Sequence, residues 1–188
     1  GGDDQKVLRQ QVAQLGMGDN PAWINNQQDW PDVYGLPLDN LFGVFGTTWY
    51  YKLDLPCVAD FVQRYQAMYP DTAMRVPGNV FYNGYMATRE LLRAVERAGT
   101  TNNIAVIKQL EGLRMPAEER MQHHDAYIDA DTHQVQQTIY LATANVGTQD
   151  PDDMFKVLSW SDPEAVRDLD AAAKCSLEPY EATPTYEV

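Results

Sequence analysis

Helix-like and strand-like periods interleave along this chain, and no other feature limits its fold as much. Gln5 to Leu15 carries Val7, Leu8, Val12 and Leu15 at helical spacing and stops at Gly16 and Gly18. Ala22-Trp23-Ile24 reads as a short buried strand that runs into the wholly polar Asn25-Asn26-Gln27-Gln28. Residues 29–40 hold two prolines and a glycine and read as loop, and Leu41 to Thr48 is a second buried strand. Pro56 opens a helix to about Met68, on the stripe Val58, Phe61, Val62 and Tyr65. Asn79 to Ala98 is the longest helix, with Tyr85, Leu91, Leu92 and Val95 as its apolar face and Gly99 at its C-terminal end. Thr101 or Asn102 caps a short helix through Leu110. Ala126 to Ile128 and Val135 to Ala144 flank the polar turn 129–133 as a hairpin, followed by a strand over Phe155–Trp160 and a helix over Asp162–Lys174. This order predicts the α/β class with a largely parallel sheet.

Composition narrows the possible functions. The 14 Lys and Arg against 27 Asp and Glu leave a net charge of −13, which disfavours nucleic acid and anionic membranes as partners. No apolar run approaches the roughly 20 residues of a membrane span. The opening Gly1-Gly2-Asp3-Asp4 carries no Met and no basic-then-apolar leader. It reads as a turn from a strand into a helix, with Asp3 or Asp4 as N-cap, and predicts a sequence that begins inside a longer protein. A tag remnant before a native start is the alternative.

Motifs for catalysis and metal binding are missing. The chain has no GxSxG, HExxH, GxxxxGK[ST] or GxGxxG. His123 and His124 are adjacent and would point apart on a strand. Asp129-Ala130-Asp131 resembles the start of a calcium loop, but His133 stands at the next ligand position and the central glycine and terminal glutamate are absent. No metal and no cofactor is therefore expected. With two cysteines and no CxxC, the chain is neither zinc-ribbon nor thioredoxin-like. Cys57 opens a helix and Cys175 begins the irregular tail, so the pair reads as a structural disulfide in an oxidising compartment, the alternative being two buried thiols. The aromatic cluster Trp49-Tyr50-Tyr51, with Trp23, Trp30 and Tyr34, suits either a small-ligand cleft or ordinary packing.

Six segments, in order, resemble one family. Gly1-Gly2-Asp3-Asp4 through Val7-Leu8-Arg9-Gln10-Gln11 to Gly16 is similar to the strand–GG–helix unit, with LxRQAxxxG, of the type I periplasmic solute-binding proteins. The branched-chain amino-acid and amide branch is the nearest. Phe42-Gly43-Val44 resembles its "EG" strand, Phe61 to Pro70 its "FxxxYxxxYP" helix, and Tyr82 to Gly99 its "YDAxxLLxxAxExAG" helix. Val106 to Leu113 resembles its "VxxALEGL", and Tyr127 to Tyr140 its "xFDxxGHQxxxxxY" hairpin, with Thr132 where the family usually has Gly.

The resemblance implies a two-lobed type I fold with mostly parallel sheets, of which this chain is the C-terminal portion. Residues 1–75 would belong to the second lobe, 76–145 to the return segment of the first, and 146–188 to the final crossover strand, helix and tail. It implies an extracytoplasmic, non-enzymatic receptor of an ABC importer. Such a receptor binds a small amino-acid-like or amide ligand between closing lobes and docks on a membrane permease. Asp3, after the glycine pair, and Asn26 or Gln27, after the next strand, would touch ligand, with Trp49 and Tyr85 walling the cleft. A ligand-sensing regulatory domain of the same fold and an α/β hydrolase are the alternatives.

Overall fold

A computed structural model describes residues 2–18 and 23–167. They fall into two units, 1–82 with 139–161 and 83–138 with the chain from 162 on. The chain therefore passes between the units at 82/83, 138/139 and 161/162.

In the first unit, α1 (Asp3–Gln14) precedes β1 (Ile24–Asn25), α2 (Trp30–Val33), β2 (Val44–Thr47) and α3 (Pro56–Met68). The first turn of α4 (Asn79–Ala98) also belongs here, as do β6 (Ile139–Ala144) and β7 (Phe155–Ser161). The sheet order is β1-β2-β6-β7. Aromatic rings fill its core. Phe45 meets Phe155 edge-on at 4.6 Å, and Trp49, 1% exposed, stacks on Tyr82 at 4.9 Å and stands perpendicular to Phe61. Tyr50 is buried against Phe155, and its hydroxyl donates to Asp153 Oδ1 and accepts from the Phe155 N–H.

The second unit holds the rest of α4, then α5 (Asn103–Leu110), β3 (Arg114–Met115), α6 (Ala117–Arg120), β4 (Ala126–Ile128), β5 (Val135–Gln136) and α7 (Pro163–Val166). Its sheet order is β3-β4-β5. Asn102 caps α5 by accepting from the Ala105 N–H.

The α/β class stands, but among the described residues the expected mostly parallel pairing holds only for β1–β2. The β2–β6, β6–β7, β3–β4 and β4–β5 pairs are antiparallel. The links between β4 and β5 and between β6 and β7 are too short for the dozen or so residues of a parallel crossover.

The strand expected over 135–144 is two strands. Alternate burial of Gln136, Thr138, Tyr140, Ala142 and Ala144 continues throughout. The pairing partner changes, however, from β4 for β5 to β2 and β7 for β6. A period of two records which face is buried and is silent on the neighbouring strand.

The helix faces also differ from expectation. On α4 the buried side chains are Asn79, Tyr82, Met86, Glu90 and Ala94, while Leu91 and Leu92 are exposed. Glu90 is tolerated inside because Arg89 and Arg93 both reach its Oε1, at 2.8 and 3.3 Å. On α1, Arg9 and Val12 are buried, and Val7, Leu8 and Leu15 are exposed.

Neither Asp3 nor Asp4 is the N-cap of α1. That position is Gly2, at φ +62°, with no side-chain cap. Both carboxylates lie in the first turn, where the helix dipole favours negative charge.

The expected Cys57–Cys175 disulfide finds no support. Cys57 lies in the first turn of α3, no disulfide is present among the described residues, and Cys175 lies outside them. Most of the helix expected over 162–174 lies outside them as well, with α7 covering Pro163–Val166.

Candidate functional site

The first unit carries a cavity of about 650 Å³ at the end of β1. The first turns of α1 supply Asp4, Gln5, Leu8 and Arg9, and the polar run leaving β1 supplies Asn25, Asn26, Gln27 and Asp29. Asp32 comes from α2, and Val12, Trp23, Ile24, Phe42, Val44 and Val80 complete the walls.

Spacing explains the α1 contribution, since residues four apart share a helix face, which brings Gln5 and Arg9 together. Arg9 is 7% exposed. Its guanidinium donates to the carbonyls of Phe42 at 3.2 Å and Asn40 at 3.5 Å, and to Gln28 Oε1 at 3.3 Å. It also lies over the Phe42 ring, 5.3 Å from its centre. Burial lowers its pKa below the ordinary arginine value.

Gln28 is fully buried and forms the hub beneath the cavity. Its Oε1 accepts from Gln5 Nε2 at 2.6 Å and Asn25 Nδ2 at 3.2 Å as well as from Arg9, and its Nε2 donates to the Asp29 carbonyl.

Asp29 ties the loop to the next element. Oδ1 accepts from the N–H groups of Trp30 and Asn79, at 2.8 and 2.6 Å, and Oδ2 from that of Val80 at 3.0 Å. One carboxylate thus caps both α2 and α4. Burial pushes its pKa up, against the downward pull of those three N–H groups.

Two glycines permit the close packing. A Cβ on Gly46 would lie 2.6 Å from the Asn26 carbonyl oxygen, and one on Gly78 would lie 2.8 Å from Asp29 Oδ1. The Gly46 carbonyl in turn accepts from the Gln28 N–H at 2.9 Å.

Of the residues expected at a ligand, Asn26 and Gln27 line this cavity and are exposed. Asp3 is exposed in the first turn of α1, next to the lining residue Asp4. Trp49 lies in the aromatic core, and Tyr85 is half-buried on α4 in the second unit. Sequence reasoning missed Gln5, Arg9, Asn25, Gln28, Asp29 and Asp32. The spacing of Gln5 and Arg9 and the unbroken polar run after β1 were the signals available.

The second unit has a smaller cavity, about 390 Å³, lined by His123, His124, Asp125, Asp162 and Glu164 among others. No group of three or more metal-ligating side chains suited to an ion occurs among the described residues. The turn at 129–133 is occupied by its own backbone. Asp129 Oδ1 accepts from the N–H groups of Asp131 and Thr132, and Oδ2 pairs with Arg167 at 2.6 Å.

Comparison with known proteins gives one matching family model, described as periplasmic binding protein, over residues 1–150. No curated protein matches. Among solved structures, an amino acid ABC transporter substrate-binding protein from Pseudomonas fluorescens Pf-5 is 20% identical, with a TM-score of 0.76, over 94% of this chain and 45% of that one. A periplasmic binding protein from Burkholderia mallei is 21% identical, with a TM-score of 0.77, over 93% of this chain and 45% of that one. A solute binding protein of an ABC transporter from Rhodopseudomonas palustris BisB5, in complex with 3,4-dihydroxybenzoic acid, is 15% identical, with a TM-score of 0.66, over 86% and 43%. At these identities the likeness is one of fold. The chain spans less than half the length of each of these structures.

Proposed function

The chain belongs to the periplasmic binding protein family, and from that premise we propose that it is part of an extracytoplasmic solute receptor for a small amino-acid-like or amide ligand. In this reading the receptor serves an ABC importer and presents its bound form to a membrane permease. The family and the matched structures are substrate-binding proteins rather than enzymes, so the hydrolase alternative falls. No helix among the described residues is long and apolar enough to cross a membrane.

One observation carries the ligand assignment. The cavity opens where β1 ends and α1 begins, and amides, carboxylates and one guanidinium line it. Ligands in open α/β sheets bind outside the carboxyl ends of strands, and a few convergent polar groups on apolar walls orient a small molecule. The two units correspond in this reading to the two lobes, the first unit to the later-formed one. Capture follows from ligand-stabilised closure, with no covalent step.

The test is thermal denaturation of the intact protein with amino acids, small amides, urea and aromatic acids. A ligand present at 100 times its Kd stabilises the native state by about 2.7 kcal/mol and raises the melting temperature by several degrees. No shift across the whole panel would remove the amino-acid and amide reading.

A further inference from the structure

The three crossings between the units are not alike. At 138/139 and 161/162 the chain crosses as β6 and β7, whose residues Ile139 and Ser161 are paired in one ladder. At 82/83 it crosses inside a helix, after the fourth of the 20 residues of α4.

The root of α4 is held by neighbours that all belong to the first unit. Asp29 accepts from the Asn79 and Val80 N–H groups at 2.6 and 3.0 Å, and the Thr48 hydroxyl donates to Asn79 Oδ1. Tyr82, the last residue before the crossing, is fully buried and stacks on Trp49 with 4° between the rings. Asp29 and Val80 also line the solute cavity, so the anchor of the helix and the wall of the cavity share residues.

Directly beyond the crossing comes Gly84. It is exposed, and a Cβ there would meet nothing within 4 Å, so no packing or close approach calls for glycine. The pattern that Tyr82 to Gly99 resembles has alanine at this place. Glycine weakens a helix interior and eases bending there. The arm that follows belongs to the second unit, where Met86, Glu90 and Ala94 are buried. At 1.5 Å per residue the arm is about 21 Å long, so a bend of about 5° at Gly84 carries its far end about 2 Å. A firm root, a soft residue and a seated arm make a joint.

We infer that Gly84 is the joint at which α4 bends when the receptor closes on its solute, and that Asp29 is the positioning residue that holds the root against that bend. This rests on the solute-binding reading above, which requires closure, and names where one of the three crossings yields.

The experiment uses the intact protein with Cys57→Ser and Cys175→Ser, spin-labelled at the exposed positions Gln149→Cys in the first unit and Lys108→Cys in the second. Pulsed electron resonance then gives the distribution of distances between the labels. Without solute, Gly84→Ala should narrow that distribution, since alanine stiffens the helix and meets no neighbour. Asp29→Asn should widen it, because a loosened root adds motion. Thr48→Val releases the same root more gently and should widen it even where Asp29→Asn does not fold. Two controls separate the joint from stability. Thr88→Ala strengthens the same helix four residues further on, and Tyr50→Phe weakens the first-unit core through its bonds to Asp153 and Phe155. Both should leave the width unchanged. In stopped flow, Gly84→Ala should slow binding and release of leucine, phenylalanine or glutamate several-fold.

A width unchanged in Gly84→Ala, or narrowed as much in Thr88→Ala, overturns the joint. A width unchanged in Thr48→Val and in folded Asp29→Asn, or widened as much in Tyr50→Phe, overturns the anchor. Either result leaves the solute-binding reading in place. Binding of none of the three solutes counts against the amino-acid reading, while the widths without solute still decide this inference.

Discussion

Asp29 shows how much one side chain decides here. Its carboxylate gathers three backbone N–H groups from two helices, and the lack of a Cβ at Gly78 leaves room for it. Asp29→Asn turns one acceptor arm into a donor that faces N–H groups. It should destabilise the protein by about 1–3 kcal/mol in urea denaturation, the cost of unmet buried donors. Gly78→Ala should act in the same direction by pushing Asp29 away, and a neutral result for both would disprove the capping role.

Asp129 gives a pH dependence of definite sign. Burial pushes its pKa up, but the N–H groups of Thr132 and Asp131 and the Arg167 guanidinium outweigh this and hold it below the usual carboxylate range. A depressed pKa contributes stability that is present above the unfolded value, about 3.9, and is lost as pH falls through the folded one. Asp129→Asn should therefore lower the denaturation midpoint at pH 6, and its difference from wild type should shrink steadily below about pH 4. A difference that grows on acidification contradicts the assignment.

At the scale of elements, β2 matters because it is thin. Gly46 lets the Asn26 backbone come closer than any side chain would permit, and its carbonyl holds the Gln28 N–H. Gly46→Ala should cost about 1–3 kcal/mol in stability, as overpacking does. It should also weaken ligand binding, because the loop that must move carries Asn26 and Gln27. Preserved affinity in a destabilised variant would place the ligand elsewhere. Helices α3, α4 and α5 were legible in the sequence because proline, glycine and a capping asparagine mark their ends. Which face of α4 is buried was not, because Glu90 reads as a surface residue until Arg89 and Arg93 are placed beside it. The site was half legible: Asn26 and Gln27 stand out as polar residues after a strand, whereas Gln28 looks the same in sequence and is buried.

For the whole molecule, charge is the property that acts at long range. A net charge of −13 repels itself in the compact state, and salt screens it. Raising sodium chloride from about 0.01 to 0.15 M shortens the screening length from about 30 to 8 Å and should raise the melting temperature. The exposed Lys52–Asp150 pair, at 2.8 Å, offsets little of this gain, since surface pairs contribute about 0–1 kcal/mol. A fall in melting temperature with salt would mean that ion pairs outweigh repulsion.

The sequence by itself determined the local properties of this protein: where most helices begin and end, the α/β class, and the sign of the molecular charge. These depend on residues within a few positions of one another, or on a sum over all of them. Tertiary structure alone decided which strands pair, that Arg9 and Glu90 are buried, and that Gln5 and Asn25 both donate to Gln28. Each of those depends on a partner distant in sequence, such as Gln28 for Gln5 or β7 for β6. Periodicity records that a side chain turns inward and carries no information on what it meets there.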